Sequence, residues 1–219
     1  DLLSWLERVL RLQPDRVSLH PLGGRVGQRV TPASDLLRPQ EERIAQRAAA
    51  IRCLLQAGYD AIGLDVFALP QDDLSRARRS GQLHRNALGY TPHAETDLIG
   101  LGVSAQSRIG DVCCQNHVDL PAWELAVDMG EFPLWRGQWM DLDARLRSDV
   151  LHDLLCRGAL DLLQLQERYE LDFCTYFRRE LAALVPHQEA GLFEMDERRL
   201  WLSDAGRLAL RSICTPFAG

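Results

Sequence analysis

Residues 39–67, PQEERIAQRAAAIRCLLQAGYDAIGLDVF, decide the fold class. Pro39 stands where a helix begins and a missing N–H is harmless, Glu41 and Glu42 put negative charge at the positive end of the helix dipole, and Gly58 ends the helix. The apolar spacing Ile44, Ala48, Ile51, Leu55 predicts a helix over 39–57. Asp60 to Phe67 is an apolar run and reads as a single buried strand. Upstream, Leu2, Leu3, Leu6, Val9 and Leu10 recur at helical spacing as far as Leu12, and Pro14 stops that ladder. Arg16 to Leu22 then reads as a short strand bounded by Pro21 and the Gly23-Gly24 pair, and 23–38 as a long loop. Helix, strand, loop, helix, strand is the order of a parallel α/β unit. Two strands cannot close a barrel, so the rest of that sheet is expected upstream of Asp1.

Downstream, Asp72 to Ser80 predicts an acid-led helix stopped by Gly81. The stretch 82–112 is the richest in glycine and polar residues, and is expected to be irregular with short strands. A helix over 120–129 and a turn and strand over 130–138 follow. After Met140 the composition turns to Leu, Arg, Asp and Ala. Helices are expected over 143–156, 162–169 and 173–184, then a hairpin, Leu192 to Glu194 against Leu200 to Leu202, and a last helix capped by Ser203-Asp204. That order outlines a winged-helix module. The chain thus divides into 1–70, the closing elements of a partial (β/α) barrel; 71–140, a connecting segment with functional loops; and 141–219, a helical winged-helix-like domain.

With 219 residues, 46% hydrophobic and 26% charged, the chain can bury a sizeable core, which excludes a disordered segment. No apolar run approaches the ~20 residues of a membrane span, and no signal-like start is present, so a soluble cytoplasmic protein is expected. All 25 cationic side chains are arginine. The absence of lysine excludes Schiff-base chemistry and a Walker-type phosphate grip within the chain. Six cysteines lack any CxxC, CxxxCxxC or HExxH spacing, so no self-contained zinc or iron–sulfur site is expected, and most of the thiols read as small buried side chains.

GLGVSA, Gly100 to Ala105, departs from the GxGxxG spacing of a phosphate loop and reads as glycines that let backbones approach closely. His84-Arg85-Asn86, with Tyr90, His93 and Asp97, concentrates polar side chains in one loop. Arg85 matters most, because a guanidinium forks two donors onto a carboxylate and never loses its charge; the competing role is an ion pair with Asp97 or Glu95 that staples the loop. His84 and His117 read as structural, and no Ser-His-Asp or Cys-His arrangement is recognisable. Winged-helix outlines can bind DNA, but Glu167, Glu170, Asp172 and Glu180 crowd the candidate recognition stretch and only Arg198-Arg199 favour it, which argues against a nucleic-acid partner.

Several blocks resemble one family in order and in register: AIGLDVFALPQDDL (Ala61 to Leu74), GQLHRNALGYT (Gly81 to Thr91), TDLIGLGVSA (Thr96 to Ala105), Gln115-Asn116, Trp135-Arg136-Gly137 and LSDAGRLALRSIC (Leu202 to Cys214), with Gln28-Arg29 upstream. They resemble the second half of the oxygen-independent coproporphyrinogen III oxidases, radical S-adenosylmethionine enzymes of haem biosynthesis. The resemblance implies an incomplete (β/α) barrel whose CxxxCxxC loop, absent from this chain, holds a [4Fe–4S] cluster. That cluster cleaves S-adenosylmethionine to a radical that removes hydrogen from two propionates of coproporphyrinogen III, each then losing carbon dioxide to leave a vinyl. It also implies a missing N-terminal half as partner. Leu19 matches a contact to S-adenosylmethionine, while Leu88 and Gln106 match positions beside a second one; Arg85, Asn86 and Tyr90 are the implied substrate-binding residues. Three positions depart from the family pattern: its aspartate–histidine–phenylalanine triplet is Asp65-Val66-Phe67, a glutamine is Leu88, and an isoleucine is Gln106. The alternative these departures leave is a diverged paralogue, a haem-handling or winged-helix DNA-binding module.

Overall fold

Helix α1 spans Leu2–Leu10, strand β1 Arg16–Ser18, helix α2 Gln40–Gln56, strands β2 Asp60–Gly63 and β3 Val66–Ala68, and helix α3 Asp73–Arg79 in the computed structural model, which describes residues 2–20, 39–93 and 97–218. These elements make up a first unit, residues 1–81, and residues 82–219 a second. The expected loop over 23–38 and the Gln28-Arg29 pair lie outside the described residues.

Helix α2 ends as its glycine predicts. Gly58 adopts φ +88° and donates to Leu55 O, while Tyr59 N–H reaches back to Leu54 O, both at 3.0–3.1 Å, which satisfies two otherwise orphaned carbonyls. This cap brings Leu54 beside Tyr59 and thereby selects the buried face. Ala50, Ile51 and Leu54 pack with Leu6, Val17, Tyr59 and Phe67, whereas Ile44 is 60% and Leu55 48% exposed. Of the apolar positions read from the sequence, Ile51 is therefore in the core and Ile44 and Leu55 are not.

The run Asp60 to Phe67 is not one strand. It folds into a β2–β3 hairpin across Leu64-Asp65, because Asp65 takes the left-handed conformation at φ +68°, which a short polar side chain tolerates. Sheet order is β1-β3-β2 with both pairings antiparallel, so β1 and β2 do run parallel, but with β3 inserted between them. The carboxylate of Asp65, buried by the turn, is paired with Arg47 from α2. Helix α3 has its expected cap, Asp72 Oδ1 accepting from Leu74 N–H at 2.7 Å.

The second unit begins with the hairpin β4 His84–Asn86 and β5 Gly89–Thr91, followed by a three-stranded meander, β6 Gln106–Ile109, β7 Val112–Asn116 and β8 Leu134–Trp139, with helix α4, Leu120–Asp128, between its last two strands. Then come α5 Leu142–Cys156, β9 Ala159–Asp161, α6 Leu162–Tyr169, α7 Phe173–Tyr176, α8 Arg178–Glu189, β10 Phe193–Met195, β11 Arg199–Leu202, α9 Asp204–Leu208 and α10 Leu210–Cys214. Strand β9 is an addition to the sequence reading. It pairs antiparallel with β11, giving the sheet order β10-β11-β9. The single helix expected over 173–184 breaks at Phe177, whose ring is fully buried between Phe173, 4.9 Å away, and Phe217, 5.3 Å away. Leu146, Val150 and Leu154 of α5 are buried with Leu160, Leu184, Leu200 and Ile213 among the core residues of this unit. No helix of the described residues is long and apolar enough to cross a membrane.

Candidate functional site

The second unit carries an open cleft of about 1460 Å³ lined by residues of the β4–β5 hairpin, the β6–β7–β8 sheet and helices α5 and α6. It is larger than the cavities that hold drug-sized molecules, typically up to about 1,000 Å³. The hairpin forms because Asn86 Oδ1 accepts from Leu88 N–H at 2.9 Å and Gly89 adopts φ +128°, closing a two-residue turn at Ala87-Leu88. Two strands of three residues do not hold themselves in water. Two side chains tie this hairpin to α5: Tyr90 donates its hydroxyl to Leu155 O at 3.0 Å, and His84 Nδ1 lies 3.0 Å from His152 Nε2, one ring donating and the other accepting.

The hairpin presents Arg85 at the cleft, its guanidinium 5.9 Å from the Tyr90 ring. The other lining arginines divide sharply. Arg147 is held by Asp143 and Glu180, Arg157 by Asp153 and Arg168 by Asp149, at 2.7–3.0 Å. Arg85, Arg108 and Arg136 line the same cleft with no carboxylate partner among the described residues. The expected Arg85–Asp97 staple is not formed. Asp97 instead accepts from Gly110 N–H at 2.9 Å, at the turn between β6 and β7, and Glu95 lies outside the described residues.

Of the residues singled out from sequence, His84, Arg85, Asn86, His93, Asp97 and Gln106 are brought to this cleft. Leu88 sits at the hairpin tip, 84% exposed and outside the lining, and Tyr90 turns its hydroxyl to α5. Leu19 belongs to the first unit, where it packs against the core and donates to Asp65 O at 2.8 Å. Sequence reasoning gave no role to Arg108, Gln115, Arg136 or His152. The alternation of polar residues at 106 and 108 and at 136 and 138 was the signal available for the sheet.

GLGVSA is a structural loop of the kind close backbone approach requires. The buried Asn116 amide donates to Gly102 O at 2.8 Å and Gly100 O at 3.4 Å, and a Cβ on Gly100 would stand 2.4 Å from Gln106 O. His117 fixes the same loop through its backbone, accepting from Ser104 N–H at 2.8 Å. The thiols differ from expectation: only Cys156 and Cys214 are buried, and Cys174 is exposed. No three His, Cys, Asp or Glu of the described residues come together as a metal site, and vicinal Cys113 and Cys114 project to opposite faces of β7. The described residues therefore do not fit a [4Fe–4S] cluster.

Burial pushes the Cys156 and Cys214 thiols from 9.0 up to about 12, and burial with a hydrogen bond to Asp149 raises the Tyr169 phenol from 10.0 to about 12. Each is raised in the folded chain, so its contribution is complete below the ordinary value and is lost as pH rises toward 12. Alkaline unfolding followed by circular dichroism is expected to begin above pH 9. In a timed alkylation at pH 8 read by peptide mass spectrometry, Cys174 is expected to be labelled before Cys156 and Cys214. At the acid end, the Tyr176 hydroxyl, bonded to Asp143 at 2.7 Å, holds that carboxyl below its usual range. That stabilisation is present above the unfolded-state pKa and is lost as pH falls through the folded one.

Residues 140–209, which hold the helices α5 to α9 and the β10–β11 hairpin, match the HemN C-terminal domain. The chain as a whole is a relative of the oxygen-independent coproporphyrinogen III oxidases and corresponds to their C-terminal half. It is 40% identical over 217 residues to the oxygen-independent coproporphyrinogen III oxidase of Escherichia coli K12, covering 97% of this chain and 47% of that protein. The Pseudomonas aeruginosa protein of the same name is 37% identical over 217 residues, with the same coverage. A solved structure described as coproporphyrinogen III oxidase (HemN) from Escherichia coli, a radical SAM enzyme, superposes with a TM-score of 0.88 and 38% identity over 97% of this chain and 50% of that chain. The chain spans about half the length of the curated relatives it matches.

Proposed function

We propose that this chain is the C-terminal part of an oxygen-independent coproporphyrinogen III oxidase. The observation that carries this is the agreement of sequence and fold along 97% of the chain with the Escherichia coli enzyme. In the proposal, the first 70 residues are the closing elements of an incomplete barrel, 71–140 carry active-site loops, and 141–219 form a winged-helix-like domain. The helices leading to the antiparallel sheet β10-β11-β9 and then α9 support the last assignment. The protein is cytoplasmic on this reading.

The reaction is the oxidative decarboxylation of two propionates of coproporphyrinogen III to vinyls, giving protoporphyrinogen IX. When bound, the [4Fe–4S] cluster and S-adenosylmethionine supply the radical that removes hydrogen, and the cluster ligands lie outside this chain. Leu19, Leu88 and Gln106 are assigned to S-adenosylmethionine through the family likeness. The chain's own chemistry is recognition of anionic groups. Arg85 offers a permanent charge and a two-pronged donor to a propionate, Asn86 shapes the turn that presents it, and Tyr90 fixes the hairpin beneath it.

The test is to express the complete reading frame anaerobically, reconstitute iron and sulfide, and supply coproporphyrinogen III, S-adenosylmethionine, a low-potential reductant for the cluster and a one-electron acceptor for the substrate radical. Protoporphyrinogen IX with two equivalents of carbon dioxide is the expected outcome. Cleavage of S-adenosylmethionine without vinyl products overturns the reading.

A further inference from the structure

The β6–β7–β8 sheet has a register that fixes which side chains share a face. Gln106 pairs with Gln115, which pairs with Arg136; Arg108 pairs with Cys113, which pairs with Gln138. Cross-strand partners project to the same side, and residues two apart along a strand do likewise. These six side chains therefore form two successive rows on one face, and all six line the cleft. The face holds two arginines, three glutamines and a cysteine, with no acid.

Arg136 is held in place without being neutralised. Its Nε and Nη2 donate to Gln115 Oε1 at 3.0 and 2.7 Å, and its guanidinium stacks 4.6 Å from the Trp135 ring. Gln115 Nε2 in turn donates to Ser104 O at 3.1 Å, so both ends of the amide are committed and its oxygen faces the arginine. A carboxylate at 115 would keep an acceptor for both Arg136 donors and cancel its charge, while giving up the bond to Ser104 O. A glutamine orients it and leaves the charge for a ligand. Arg108 stands on the far outer strand, about 10 Å away across the sheet and one row along. One small carboxylate cannot bridge that spacing, whereas a rigid ligand bearing several can.

We propose that this sheet face is a second carboxylate-binding locus beside Arg85, with Arg136 and Arg108 as binding residues and Gln115 as the positioning residue of Arg136. The inference rests on the proposed function and extends it. Carboxylates reach such a cleft from two sources, the tetracarboxylate macrocycle and the aminoacyl end of S-adenosylmethionine, and the measurements separate them.

The experiment uses protein from the complete reading frame, reconstituted anaerobically. Fluorescence titration with coproporphyrin III, which has four carboxylates, is compared with mesoporphyrin IX, which has two on the same macrocycle; S-adenosylmethionine binding is measured by equilibrium dialysis. Arg136→Leu is expected to weaken coproporphyrin III about tenfold or more, and to narrow its advantage over mesoporphyrin IX. Gln115→Glu keeps the arginine in place and is expected to lose as much, a result that mere structural support would not give. Arg136→Lys should retain part of the affinity. Loss confined to S-adenosylmethionine supports the locus and assigns its carboxylate to the cofactor. Unchanged affinity for both ligands in Arg136→Leu and Gln115→Glu overturns it. Wild-type protein that binds coproporphyrin III but forms no vinyl product overturns the proposed function and leaves the locus standing; wild-type turnover with unaffected variants does the reverse.

Discussion

Gly206→Ala is expected to destabilise the second unit by at least about 3 kcal/mol, although helix propensity alone favours alanine by about 1 kcal/mol. A Cβ on Gly206 would lie 1.8 Å from Leu192 O and 2.8 Å from its carbonyl carbon. That carbonyl cannot retreat cheaply, since it accepts from Ser203 N–H at 3.0 Å and the Ser203 hydroxyl proton is shared between it, at 3.1 Å, and Gly191 O, at 2.8 Å. The same hydroxyl caps α9 by accepting from Gly206 N–H at 3.1 Å. Moving the hairpin away would thus break the cap as well as relieve the overlap. Thermal unfolding followed by circular dichroism should show Tm lower by roughly 6–12 °C. An unchanged or higher Tm would mean that propensity wins and that the two backbones are less closely seated than described.

Phe177→Ala should cost about 3–5 kcal/mol. Its ring touches Phe173, Phe217 and Tyr176 at centroid distances of 4.9–5.3 Å, and the Arg147 guanidinium lies 5.3 Å from it. Truncation removes the apolar burial and leaves a cavity beneath an ion-pair network, because Arg147 also binds Asp143 and Glu180 at 2.9 Å. Urea unfolding monitored at two wavelengths would read the loss as a lower midpoint. A cost below about 1 kcal/mol would show that the aromatic cluster can collapse into the space.

How far the residues alone revealed this arrangement depended on whether the deciding signal was local. Helix termini were legible because caps are written in single residues: Asp72, Ser203, Gly58 and Gly81 all act where the sequence places them. The division of Asp60 to Phe67 was not, since an apolar run looks continuous until one residue, Asp65, takes a left-handed conformation that hydrophobicity does not encode. Strand β9 was hidden for a related reason. Three residues between two helices carry no periodicity, and only pairing with β11 defines them. At the site, Arg85 stood out because its neighbours in sequence are its neighbours in space. Arg108, Gln115 and Arg136 lie up to 28 residues apart, and cross-strand register alone joins them.

The bonds from Tyr90 and His84 to helix α5 have a bearing on how damage would show itself. A ladder of six residues borrows its posture from a helix some seventy positions downstream, so loosening that helix should weaken the proposed binding of carboxylates while the bulk of the chain still melts cooperatively. Substitutions deep in the helical half can thus masquerade as lesions of recognition.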